Sequence, residues 1–314
     1  MVLFLSFWPP AIRYHRLKKT SNPIPASVGC PPGVSTGPIL LTLYAQPLSN
    51  IIQKRQFDYH NYAGDTELQK AAPPSDFSQV SRETTAYVAN VKVCMNKSKV
   101  KLNDEKTELL VIGDRICHSL VRKDPLTFGS CSVPFQTSAK YLGVHLDETL
   151  SMNKQISSLC RSSYFHLRKI GSIRPYLTDA STAKLVSSLI LSSFVYCNST
   201  LSGRPSSLKR LQKFLNNAAR LVLRKRKSNH VTPLLKQLYW LPSEACIHYK
   251  IDTFAFRHFE NSLAPYLSEL LQIYQPTRTH RSSNEILQKV PKTNQKSAGN
   301  RSFRSAVRVH DPKA

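Results

Sequence analysis

The chain has 314 residues, with 44 Lys or Arg against 19 Asp or Glu, which gives a formal net charge of +25. Its hydrophobic content of 41% can supply a buried core, so a wholly disordered chain is excluded. The cationic excess points to a polyanionic partner, nucleic acid before membrane surface, because neutralising phosphates releases counterions. The seven cysteines are odd in number and widely spaced, with no C-x-x-C pair. They support neither a disulfide framework nor a zinc knuckle, and they fit a reducing intracellular compartment, cytoplasmic or nuclear.

Met1 to Trp8 is an apolar run closed by Pro9-Pro10, too short to span a bilayer, and its basic residues follow it instead of preceding it. Residues 1–23 therefore read as an unrelated or disordered N-terminus. Residues 21–37 are rich in Pro, Gly and Ser and read as loop, and Pro38 to Ile52 carries a helical apolar pattern. Phe57 to Ala63 and Thr66 to Leu68 read as two short strands around Gly64-Asp65, a hairpin signal because glycine supplies the positive φ of a tight turn. A helix is predicted over about Phe77 to Asn96, with extended segments at Val100 to Leu102, Leu109 to Ile112, near Phe135 and at Ala139 to Leu146. From Ser151 the pattern turns helical. Helices are predicted around Ile156 to Ile170, Thr182 to Tyr196, Ser206 to Leu223 and Ala245 to Phe259. Residues 276–314 are polar and basic and read as a disordered tail.

The segment Tyr62-Ala63-Gly64-Asp65-Thr66-Glu67-Leu68 would present a carboxylate at a hairpin tip, a placement that suits a Mg²⁺ ligand. It resembles the Y-A-D-D-T-x-L signature of reverse transcriptases from LINE-type, non-long-terminal-repeat retrotransposons. Further segments resemble that family in the same order, Tyr196-Cys197-Asn198 and Leu211-Gln212 to Asn217-Ala218-Ala219-Arg220 among them. Gly29-Cys30-Pro31-Pro32-Gly33-Val34-Ser35-Thr36-Gly37-Pro38-Ile39-Leu40 is similar to its G-V-P-Q-G-S-V-L-G-P-x-L block. Leu102-Asn103-Asp104-Glu105-Lys106-Thr107-Glu108 is similar to L-N-x-x-K-T-E. Tyr141-Leu142-Gly143-Val144-His145-Leu146-Asp147 is similar to the Y-L-G-V-x-x-D hairpin that grips the primer. His230-Val231-Thr232-Pro233-Leu234-Leu235, followed by Trp240-Leu241-Pro242, also falls in family order.

The resemblance covers roughly Ile24 to Ser283. It implies an α+β fold: a partial palm over 24–150, an antiparallel sheet with packed helices, then an all-α, basic thumb and connection region over 151–275. It implies RNA-templated addition of deoxynucleotides with Mg²⁺ as cofactor, RNA and DNA as partners, Asp65 as metal ligand and catalytic residue, and Lys106 as general acid. It places Tyr141 and Gly143 on the nucleic acid. The departures are as informative. The signature's first Asp stands at Gly64, and Met1 to Asn50 holds no Asp or Glu. The family's other catalytic Asp, on an earlier palm strand, is therefore expected to lie upstream of the chain. A sheet without its early strands would expose an edge.

Gly203 to Lys236 contains ten Lys or Arg and no acid. On a helical wheel Lys209, Lys213, Arg220 and Arg224 fall within about 60° of each other. Leu208, Leu211, Leu215, Ala218 and Val222 lie on roughly the opposite side, and Arg224 to Lys227 extends the charge. With no acid at i,i+4, this face is a candidate for phosphate contact, with Arg226 included. Trp240 reads as core packing, and His230 has no partner at metal-ligand spacing. The sequence thus supports a remnant of a LINE-type RNA-directed DNA polymerase, catalytically impaired. The alternatives are a non-catalytic nucleic-acid-binding protein acting through the basic helices, and a decayed element with no selected function.

Overall fold

A computed structural model describes residues 1–8, 57–62, 65–97, 101–103, 106–128, 131–272 and 302–308. The chain divides into two compact units, Met1–Met152 and Asn153–Ala314. The helix expected over Pro38 to Ile52 and the Gly29 to Leu40 block lie outside the described residues.

The first unit is built on a strand that the sequence reading set aside. Residues Val2–Trp8 form β1, which pairs antiparallel with β3 (Asp65–Gln69) on one side. On its other side it pairs with β4 (Lys101–Leu102) and β5 (Glu108–Leu110). The hairpin partner β2 (Asp58–Tyr62) completes one edge, and β8 (Phe135–Gln136) adds a parallel strand at the other, in the order β2-β3-β1-β5-β8. The expectation of an unrelated or disordered stretch over 1–23 is thus corrected for its first eight residues, and so is that of a sheet lacking its early strand. The physical reason is plain: a strand with neighbours on both sides and both faces covered is apolar throughout, and Val-Leu-Phe-Leu is such a run.

Alternation divides β1 between two layers. Leu3 and Leu5 join Leu68 and Leu109 against the helix α1 (Phe77–Lys97), whose Val80, Thr84, Tyr87, Val88, Val91 and Met95 are buried at helical spacing. Val2 and Phe4 turn to the other face, where they cluster with Leu110 and Ala139. Ala139 belongs to a second hairpin, β9 (Ser138–Tyr141) with β10 (Val144–Asp147), joined through Leu142 and Gly143. Both have positive φ, 45° and 83°, which is the type I′ geometry that matches strand twist. A small hairpin of β6 (Leu126–Phe128) with β7 (Cys131–Val133) and a short helix α2 (Arg115–Leu120), capped by the Asp114 carboxylate on the Cys117 N–H at 2.7 Å, complete the unit.

The second unit is helical: α3 (Asn153–Ile173), α4 (Asp179–Val186), a π-helical turn (Ser187–Leu191), α5 (Ser192–Val195), α6 (Pro205–Val222), α7 (Val231–Leu238), α8 (Ser243–Phe259), α9 (Pro265–Ser268) and α10 (Phe303–Arg308). Its core gathers Ile170, Val186, Ile190, Phe214, Leu215, Ala218, Ala219, Val222, Leu234 and Leu235, with Trp240 packed against it. The tail expected to be disordered over 276–314 contains α10, with Ala306 and Val307 buried and Phe303 edge-on to Phe254 of α8 at 6.0 Å. Its two small apolar residues are too few to stand out in a basic segment. The whole is α+β, a sheet packed by helices and hairpins followed by a helical region.

Candidate functional site

Strand pairing brings the candidate residues of the first unit to one place. In β3, Asp65, Glu67 and Gln69 alternate with the buried Thr66 and Leu68. Tyr62 pairs with Asp65 and His60 with Glu67 across the β2–β3 ladder; the tip residues 63 and 64 lie outside the described residues. On the other side of β3, Ser6 of β1 pairs with Asp65 and Phe4 with Glu67.

Tyr141 reaches this group from β9. Its ring lies 5.0 Å from that of Phe4, and its hydroxyl is 3.1 Å from His60 Nδ1. Burial, then the neighbouring Glu67 carboxylate, which accepts the phenol proton, and Asp65 beyond it push the Tyr141 pKa up to about 12. Glu67 is 9% exposed and also accepts from Gln69 Nε2 at 2.8 Å. Asp65 is half-buried. Tyr141, His60, Glu67 and Asp65 thus form a polar cluster where the β9–β10 hairpin approaches the β2–β3 ladder.

Other candidates are not drawn in. Lys106 is exposed between β4 and β5, its N–H bonded to Asn103 O at 3.2 Å, and β1 separates these strands from β3 and Asp65. Gly143 is exposed at the turn of its hairpin. Asp147, at the end of that hairpin, accepts from the Ser151 N–H at 2.6 Å, the Met152 N–H at 2.8 Å, and the Ser151 and Thr149 hydroxyls, each at 3.0 Å. Burial acts to raise its pKa, but these bonds outweigh it and hold the carboxyl below the ordinary range. Asp147 is a loop cap.

A pair of Mg²⁺ ions needs oxygen ligands in near-octahedral array. Among the described residues no group of three or more His, Cys, Asp or Glu is placed to hold a metal ion. Asp65 is the open carboxylate of the cluster, and Glu67 is already engaged by Gln69 and Tyr141. This donor set does not fit a metal pair.

In the second unit Lys209 and Lys213 are exposed on α6, while Leu208, Leu211, Leu215, Ala218 and Val222 are buried on its other side. Arg220 donates from Nη2 to Asn229 O at 3.2 Å. Arg224 lies beyond the helix end, as the predicted end at Leu223 implied. At φ 53° it is the left-handed residue of a closing turn in which Lys225 N–H bonds Arg220 O at 2.9 Å. Its guanidinium donates to Leu177 O at 3.0 Å and Arg174 O at 3.3 Å. Arg226 is exposed, with its N–H on Asn229 Oδ1 at 2.9 Å.

Residues 4–146 match the reverse transcriptase (RNA-dependent DNA polymerase) family. The match begins inside β1 and ends inside β10, so it spans most of the sheet, the three hairpins and the polar cluster. No curated protein matches the chain. Among the described residues no helix is long and apolar enough to cross a membrane.

His60 and Glu67 were missed by the sequence reading, although a signal was present for Glu67. A turn at Gly64-Asp65, as the sequence was read, would have set Tyr62 opposite Glu67; Asp65 instead begins β3 and pairs with Tyr62, which sets His60 opposite Glu67, while period-two alternation alone puts Glu67 on the Asp65 face.

Proposed function

We infer that the chain derives from the palm and thumb of a LINE-type reverse transcriptase and holds primer–template without extending it. The ordered blocks from Gly29 to Pro242 support the LINE-type origin, and the family match supports a polymerase-like domain. In the family resembled, the ions are held by the first Asp of the hairpin signature and by an Asp on an earlier palm strand. Here the first position is Gly64, and the strand beside the hairpin is β1.

The observation that carries this reading is the pairing of Ser6 with Asp65. On this reading the positions of the missing ligands are Ser6 and Gly64, which with Asp65 together bring one carboxylate. Each ~1.4 kcal/mol of lost transition-state stabilisation is about tenfold in rate, so the loss of two charged ligands removes most of the catalysis. Lys106 as general acid and Tyr141 with Gly143 on the primer belong to the same reading. The basic helix α6, whose positive charge has no acidic residue between Gly203 and Lys236, favours retained binding.

The test is primer extension on an RNA template with Mg²⁺ or Mn²⁺, run beside a binding assay on the same substrate. The expected result is a bound primer–template with no incorporation. Ser6→Asp combined with Gly64→Asp is expected to raise Mn²⁺ affinity at least about tenfold, read by electron paramagnetic resonance, since it restores two carboxylates beside Asp65. Extension by the unmodified chain that disappears in Asp65→Asn would overturn the inactive reading, and failure to hold primer–template would overturn the binding part.

A further inference from the structure

A groove of about 560 Å³ lies in the second unit between α3 and the C-terminal end of α6. It is lined by Tyr164, Leu167, Asn217 and Leu221 and by the cations Arg168, Arg174, Arg220, Arg224, Lys225 and Lys227, with no carboxylate among the lining residues. Three of these cations have internal tasks. Arg174 is 6% exposed and donates to Leu221 O at 3.0 Å, Val222 O at 2.5 Å and Leu177 O at 2.6 Å, with Asp179 as its ion partner. Arg220 and Arg224 also bond carbonyls, as described above. Those bonds satisfy the negative end of α6 and hold the guanidinium groups in place, but they leave each full charge uncompensated apart from Asp179.

Arg168, Lys225 and Lys227 are exposed and have no acidic partner among the described residues. The loop that carries the two lysines is held by Asn229, which bonds both Arg220 and the Arg226 N–H. Arg220 Nε is buried in the groove wall without a hydrogen-bond partner. The guanidinium charge of Arg220 has no carboxylate partner in the groove to neutralise it. Tyr164 is 39% exposed and fixed from two sides: its ring stands edge-on to Phe214 at 5.1 Å, and its hydroxyl accepts from Asn217 Nδ2 at 3.3 Å.

We propose that this groove binds a segment of single-stranded nucleic acid, with its phosphates on Arg168, Lys225, Lys227 and Arg220 and one base against the Tyr164 ring. An exposed aromatic ring among cations suits a flexible strand, whose unpaired base can stack on the ring while its phosphates meet the charges; the paired bases of a duplex have no free face to offer it. An acidic peptide would use the charge but leave the fixed aromatic ring without a role. Lys209 and Lys213, on the open face of α6, are outside the groove. The inference takes its ligand class from the function proposed above, but its residues stand on the geometry of the second unit.

The experiment uses the full chain and fluorescence anisotropy with a labelled oligothymidylate of about twenty nucleotides, an abasic strand of equal length and a duplex. Arg168→Glu with Lys225→Glu and Lys227→Glu is expected to weaken single-strand binding by more than about 30-fold and to lower the salt slope by about 2, at ~0.7 per phosphate contact. Lys209→Glu with Lys213→Glu is expected to cost less than about threefold. Tyr164→Ala is expected to lose about tenfold on oligothymidylate and nothing on the abasic strand, while Tyr164→Phe keeps the affinity. Equal losses from the groove and open-face variants would overturn the proposal while leaving the function proposed above standing. So would displacement by polyglutamate as effective as by oligothymidylate, which would assign the groove to an acidic peptide. If the unmodified chain bound neither strand nor duplex, both readings would fall together.

Discussion

The two units commit their chemistry to the fold in opposite ways. In the first unit, the metal chemistry proposed above hangs on a few single positions, of which Asp65 of β3 pairs with Ser6 of β1. Asp65 is half-buried and lies outside the apolar clusters that pack the sheet against α1 and β9. The charge at this position can therefore be exchanged while Leu3, Leu5, Leu68 and Leu109 keep the sheet together. In the helical unit, positive charge is spread over α3, α6 and the loop after it, and its innermost members also close a helix end. A metal site is lost at one or two positions, whereas an electrostatic surface built into helix capping is lost only with the helix.

The comparison can be broken most severely at β1. Leu3 is 1% exposed and lies opposite Leu68 on one side and Leu109 on the other. Leu3→Ala is expected to cost about 2–5 kcal/mol, the transfer of the lost methyl groups plus the cavity left among residues that cannot close over it. Hydrogen–deuterium exchange would locate the effect: faster exchange in β3 and β5, with α6 unchanged. Equal acceleration in α6 would show that the units do not separate their stability as their cores suggest.

Much of this arrangement was legible from local pattern. The ends of α1 and α6 fall within one residue of where the spacing of apolar residues put them, and the buried side of α6 is the predicted one. What escaped depends on distant partners. A seven-residue apolar run closed by two prolines reads equally as a central strand or as a detached leader. Only the pairing with residues 65–69 and 101–110 decides between them. Arg174 escaped because charged residues are expected at the surface, and nothing near it in sequence announces the carbonyls of Leu221 and Val222. Tyr141 was named as a primer contact by resemblance, and its place beside Glu67 and His60 emerged only when the hairpin met the sheet.

Arg174 provides the second way to sharpen the contrast. It is the buried cation that closes α6, and its removal leaves the Leu221 and Val222 carbonyls without this donor inside the unit. Arg174→Met, which keeps the length of the side chain, is expected to destabilise the helical unit by about 2–3 kcal/mol. Urea unfolding followed by Trp240 fluorescence would read it, because Trp240 packs on the same core. The groove cations Lys225 and Lys227 sit directly after this helix end, so single-strand binding is expected to weaken in parallel. A variant that lost stability but kept full binding would detach the charged loop from the cap.

The smallest effect is expected where the first unit ends, at Asp147. Its folded-state pKa lies below the unfolded value of about 3.9, so its carboxylate contributes stability that is fully present above that value. The contribution fades as pH falls through the lower folded pKa. Asp147→Asn keeps the shape but loses the charge on which the Ser151, Thr149 and Met152 donors converge, and one carboxylate oxygen becomes an NH₂ that cannot accept. In a half-open loop that loss is about 1 kcal/mol at neutral pH. The variant is expected to match the unmodified chain at the acid end, where the native carboxyl is also protonated, and to fall behind it as pH rises. A gap of constant size across the acid range would mean that loop shape, not carboxylate charge, carries the effect.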